Sequence, residues 1–95
     1  MRCVFTNRSQ ADLRAIGDFI AQDNPRRAIS FVSELEEKCR QLVYVPHREF
    51  VKRVDGLDIR KTVHGNYLIY FAWIEDAETV LVVHITNSSR NTPHI

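Results

Sequence analysis

The chain is poor in the residues that build special frameworks. Its 95 residues hold two cysteines, three prolines, three glycines and one tryptophan. Cys3 and Cys39 stand alone in apolar contexts, with no CxxC pair to begin a four-ligand zinc site. A disulfide scaffold needs a higher cysteine density, so two buried free thiols are expected. The glycines, at 17, 56 and 65, cannot compose a GxxxxGK or GxGxxG phosphate loop. No apolar run approaches the roughly 18 residues of a membrane-spanning helix. The opening MRCVFTNRSQ lacks the apolar centre of a secretion signal, and a cytoplasmic protein with no membrane partner is expected. Charge of one sign is also missing. Thirteen Lys and Arg oppose twelve Asp and Glu, for a net charge of +1. That excludes a polycation that coats nucleic acid by net charge alone.

What is present is ordinary globular material, 44% hydrophobic and 26% charged. The length suits a single domain over residues 1–95. Residues 2–6 read as a short strand. Ser9 is a candidate N-cap for a first helix, with Asp12 as a capping-box partner and Leu13, Ile16 and Ile20 at helical spacing. Asn24-Pro25 punctuates the chain, with Asn24 suited to an N-cap and Pro25 to the first helical position. Ala28, Val32, Leu35, Cys39 and Leu42 then draw one apolar seam, and Pro46 is expected to end that helix. Two helices with so short a link must pack as an antiparallel hairpin.

Past Pro46 the period falls from 3.6 to 2. Residues 48–54 read as a short strand or an extended loop, and strands are expected over 57–64, 67–74 and 79–86, with turns at Asp55-Gly56, Gly65-Asn66 and the acidic stretch 75–78. The two last strands are apolar enough to be central. Tyr67, Tyr70, Phe71 and Trp73 are expected in the core rather than as base-stacking platforms. The fold class is therefore α+β: an N-terminal strand, an antiparallel helical hairpin, then a three- to four-stranded antiparallel sheet.

Chemistry-bearing patterns are sparse. No serine lies in a GxSxG elbow, and neither cysteine has an electropositive setting. His47, His64, His84 and His94 show no metal-ligand spacing, so no metal and no cofactor are expected. What remains is a polar patch of Arg60, Lys61, Arg90 and His94, with Lys52 and Arg53 adding charge. Such groups bind phosphates by charge-assisted hydrogen bonds. On spacing alone, a solvated strand face paired with Asp55 and Asp58 explains them more simply.

Ordered motifs now accumulate. Ser9-Gln10-Ala11-Asp12-Leu13 followed by Ile16, and Asn24-Pro25 followed by Ala28, Phe31 and Leu35, open the two helices. Leu42 and Pro46 close the second. Gly56-Leu57-Asp58-Ile59-Arg60 and Tyr67-Leu68-Ile69-Tyr70 mark two strands, and Arg90 follows the last. In order, spacing and total length this resembles the ParE branch of the RelE/ParE toxins of bacterial type II toxin–antitoxin modules. Two features depart from the wider pattern. The last strand is followed by Asn87-Ser88-Ser89-Arg90-Asn91, without the frequent His. Tyr67 and Asp58 stand where the mRNA-cleaving branch has basic residues.

The resemblance implies a toxin that poisons DNA gyrase by binding, without a covalent step of its own. It also implies a ParD-like antitoxin that folds onto the toxin, and contact with operator DNA only through that antitoxin. Arg60, Lys61, Arg90 and His94 are the expected target-binding residues. The alternative is a ribosome-dependent mRNA endonuclease of the RelE type, with Arg60 and Arg90 on the phosphate and His94 as acid or base. A third reading is a homologue that has lost activity and serves as an antitoxin sink. Ile29, Phe31 and Val43 lie off the main seam of the second helix. They are expected to contribute to an apolar groove that accepts an amphipathic antitoxin helix.

Overall fold

The computed structural model describes residues 1–45 and 49–89. Among them are two helices and one five-stranded sheet. The elements are β1 (Arg2–Phe5), α1 (Asn7–Ala21), α2 (Pro25–Gln41), β2 (Glu49–Val54), β3 (Leu57–His64), β4 (Tyr67–Ile74) and β5 (Thr79–Asn87). The sheet order is β1-β5-β4-β3-β2. β2 to β5 form the expected antiparallel meander. β1 adds a fifth strand, parallel to β5, with Cys3 opposite Val80 and Phe5 opposite Val82.

Local chemistry explains most boundaries. Asn24 caps α2 by accepting from Arg27 N–H at 3.0 Å, and Pro25 sits in the first turn. α1 begins earlier than expected. Its N-cap is Thr6, whose hydroxyl accepts from Ser9 N–H at 3.1 Å. Ser9 is buried inside the helix and its hydroxyl donates to Thr6 C=O at 3.0 Å. Thr6 wins because β1 delivers it in extended geometry, with φ −69° and ψ 162°, as a cap requires. α2 stops at Gln41, before the proline expected to end it; Pro46 lies outside the described residues. Asp55 and Gly56 both take positive φ, 49° and 81°, the geometry of a tight hairpin turn.

The helices cover one face of the sheet. Leu13 and Ile16 of α1 and Leu35, Cys39 and Leu42 at α2 pack on Ile69, Phe71, Val80, Val82 and Ile85. Burying such side chains stabilises by about 1.5–3 kcal/mol each. Burial also raises both thiols, Cys39 to about 12, so they stay protonated and inert. The opposite face holds a smaller cluster of Ile59, Tyr70 and Ala72, flanked by Val51, Val54, Leu57, Leu68 and Val83. The aromatics behave as core: Tyr70 and Phe71 are buried, and Tyr67 and Trp73 pack against the helix-side cluster.

The strand β5 carries a bulge. Tyr70 faces His84 but Phe71 faces Val82, leaving Val83 extra. β1 stops at the same level, and Thr6 N–H donates to Val82 C=O at 3.0 Å as its last rung. Beyond it the edge of β5 meets α1. Asp12, expected in a capping box, instead accepts the edge donor that β1 does not reach, Ile85 N–H, at 2.9 Å. The same oxygen lies 2.8 Å from His84 Nδ1. A helix carboxylate thus takes over where the strand partner ends.

Candidate functional site

A broad concavity runs between the two helices. It encloses about 890 Å³. From α1 come Gln10, Leu13, Arg14, Gly17, Asp18 and Ala21. From α2 come Pro25, Ala28, Ile29, Val32, Ser33 and Glu36, and Phe5 of β1 closes one end. These are successive i, i+3 and i, i+4 positions, so each helix presents one continuous stripe. The floor is low because its residues are small. A Cβ at Gly17 would lie 3.2 Å from a Val32 methyl, which shows how closely the helices approach there. Ile29 stands on the rim with 74% of its surface exposed. Arg14, Asp18 and Glu36 put charge of both signs along the edges. An apolar trough with a charged rim is shaped for an amphipathic helix.

The three residues expected to form such a groove divide. Ile29 lines it. Phe31 turns the other way, toward the β3–β4 hairpin, with its ring 5.5 Å from Tyr67 and 5.8 Å from His64. Val43 follows α2 and packs half-buried against the core. The sequence signal for this groove is the small set Gly17, Ala21 and Ala28, which lets two helices approach closely.

The expected target-binding residues also divide. Arg60 and Lys61 are neighbours on β3, so the pleat sends them to opposite faces. Ile59 belongs to the cluster on the face away from the helices, and Lys61 shares that side. It meets Glu49 of β2 at 3.1 Å. Arg60 shares the helix side with His64 and lies 3.9 Å from Asp58. Asp58 also pairs with Arg53 at 2.6 Å. Arg90 and His94 lie outside the described residues.

A polar row missed in the sequence crosses the sheet beside Lys61. Lys61 is opposite Tyr70, and Tyr70 is opposite His84 with the rings stacked at 6.0 Å. His84 then meets Asp12 through Nδ1 and the Arg8 guanidinium through Nε2 at 3.4 Å. With Nδ1 donating to the carboxylate, Nε2 is left as the acceptor for Arg8. A cleft of about 440 Å³ adjoins this end, between Phe19 of α1 and Tyr67, Thr86 and Asn87. Among the described residues no group of three His, Cys, Asp or Glu is placed to hold a metal ion.

The family described as "ParE toxin of type II toxin-antitoxin system, parDE" matches residues 3–92. The chain belongs to the ParE toxin family. Among solved structures, it is similar to "Chromosomal ParDE TA system from P. aeruginosa". The TM-score is 0.72 and the identity 20%, across 92% of this chain and 95% of that one. At that identity the likeness speaks for the fold. No curated protein matches the sequence. As a ParE toxin the chain is one half of a type II toxin–antitoxin pair, and its fold is shared with a ParDE structure.

Proposed function

We propose that this ParE toxin acts in the cytoplasm by binding DNA gyrase and blocking replication, and that a ParD-like antitoxin neutralises it. The observation that carries the reading is the family match across residues 3–92. The whole chain serves as the toxin domain, and operator DNA is contacted only through the antitoxin. The groove between α1 and α2 supports the antitoxin half. It is long, apolar and open, and Ile29 stands exposed on its rim. An antitoxin helix laid there hides Ile29 and stabilises the toxin by mass action. Arg60, Lys61, Arg90 and His94 are the proposed target contacts.

The test is gyrase supercoiling of relaxed plasmid, with the toxin titrated in and its antitoxin as control. Loss of supercoiling with accumulation of cleaved plasmid, reversed by antitoxin, is the expected result. An unaffected gyrase, with translation arrest and cut mRNA instead, sinks the gyrase reading in favour of a RelE-type nuclease. No growth inhibition on induction without antitoxin sinks both and identifies a homologue that has lost activity.

A further inference from the structure

A short line of cations crosses the sheet on the face away from the helices. Lys61 of β3 stands opposite Tyr70 of β4, and Tyr70 opposite His84 of β5. Lys61 and His84 are therefore two strand spacings apart, roughly 10 Å. Arg8 extends the line. It leaves the first turn of α1 and reaches His84 where β1 no longer pairs with β5. A chain of contacts fixes how it lies. Asp12 accepts from His84 Nδ1–H at 2.8 Å, which leaves Nε2 as an acceptor, and the Arg8 guanidinium donates to Nε2 at 3.4 Å. A guanidinium carries several donors, and Nε2 engages one of them. Arg8 is exposed, so donors remain at the surface. At the far end Lys61 meets Glu49 at 3.1 Å, and the Glu49 side chain is 70% exposed. A surface pair of that kind contributes little and yields to a stronger anion. Asp12, the carboxylate beside His84, is already engaged by His84 and by Ile85 N–H.

We propose that Arg8 and Lys61 bind separate phosphates of one nucleic-acid backbone, with His84 as the positioning residue that holds Arg8 in line. A single small anion cannot touch two cations roughly 10 Å apart; a chain of phosphodiesters can, through charge-assisted hydrogen bonds. A net charge of +1 does not oppose this, because the attraction is local to the row. Contacts of this kind place a backbone without reading its sequence. The inference goes beyond the gyrase reading by giving the toxin a direct nucleic-acid contact of its own, apart from the operator. With gyrase as target the backbone is that of the DNA the enzyme holds. The same chemistry on a ribosome would take RNA.

The experiment titrates the full-length toxin into a fluorescent DNA duplex and, separately, a fluorescent single-stranded RNA. Anisotropy gives Kd between about 50 and 200 mM NaCl. Arg8→Ala and Lys61→Ala should each raise Kd about tenfold at the lower salt. Each should also cut the salt slope by about one. Arg8→Lys keeps the charge and should keep the slope. His84→Phe should weaken binding with the slope retained, because Arg8 keeps its charge and loses its tether. Arg26→Ala, which removes an exposed cation on α2, should change neither quantity. Thermal unfolding checks that each variant is folded, and Arg8→Gln and Lys61→Gln replace an alanine variant that is not. Binding of the duplex identifies DNA as the source of the phosphates, and binding of the RNA alone identifies RNA; either supports the row. No binding of either probe overturns it. So does a weaker Kd with an unchanged slope in Arg8→Ala and Lys61→Ala, or an equal loss in Arg26→Ala, which would mean diffuse attraction. A polyglutamate peptide that binds where neither nucleic acid does would make the row a contact for an acidic protein and overturn it as well. These titrations contain no gyrase, so their failure leaves the gyrase reading to the supercoiling assay.

Discussion

Asp12 shows how one side chain can be read by the wrong rule. In sequence it follows Ser9 at the capping-box interval, and a local role looks sufficient. In the fold it stands beside β5 and serves two donors, Ile85 N–H and His84 Nδ1, both 72 or more residues away. Nothing in the linear pattern says that β1 ends one rung before Ile85, so nothing says that this N–H needs an acceptor. Asp12→Ala leaves a partly buried backbone donor and an imidazole without their acceptor. The expected loss is about 1–3 kcal/mol, seen as a lower urea midpoint with unchanged slope. Asp12→Asn keeps a carbonyl oxygen and should lose less. An alanine variant as stable as the wild type would mean that water replaces the carboxylate at no cost.

Among elements, those set by neighbouring residues were legible. Asn24-Pro25 punctuates the helices because cap and proline act on the adjacent turn. Asp55-Gly56 turns the chain because both residues tolerate positive φ. The period change after residue 46 separates helices from strands. Pairings over long separations were not legible: the parallel docking of β1 on β5, the bulge at Val83 and the side of α2 that faces outward. Phe31 is the clearest case. Its helical position put it beside Ile29, yet the β3–β4 hairpin reaches up to it. His64 and Tyr67 flank its ring, and a Cβ at Gly65 would touch it.

The same contact holds an ion pair. Arg27 lies over Phe31 with its guanidinium 5.0 Å from the ring centre and bonds Glu34. Glu34 also meets His64 Nε2 at 3.6 Å. The hydrogen bond from Arg27, with His64 adding to it, holds the Glu34 carboxyl below its ordinary value of 4.5. A folded-state pKa below the unfolded one stabilises above the unfolded value and ceases to do so as pH falls through the folded one. Glu34→Gln should therefore lower stability at pH 7. The gap between variant and wild type should close as pH falls below the ordinary carboxylate range. Both side chains are exposed, so the effect is small and should shrink with added salt. Urea midpoints taken across pH check it; a gap that stays constant down to acid would assign the loss to packing instead.

At the scale of the whole molecule, a near-neutral chain divides its labour between two faces. The helices and their groove occupy one side of the sheet, and the row Lys61, Tyr70 and His84 occupies the other. If the antitoxin sits on the helix side, the target is free to meet the opposite face, where Lys61 offers a cation. Arg60, although adjacent in sequence, faces the helix side beside Asp58. The two substitutions should therefore separate. Lys61→Ala should raise the toxin concentration needed to poison gyrase about tenfold or more, equivalent to ~1.4 kcal/mol. Antitoxin affinity should stay unchanged. Glu49→Gln removes the carboxylate 3.1 Å from Lys61 and frees its ammonium group, so it should shift poisoning the opposite way. Arg60→Ala should change poisoning less than Lys61→Ala does. Plasmid cleavage titrations with each variant, paired with antitoxin-binding measurements, decide the matter. Wild-type potency in Lys61→Ala would place the target contact on another surface, even if gyrase proves to be the target.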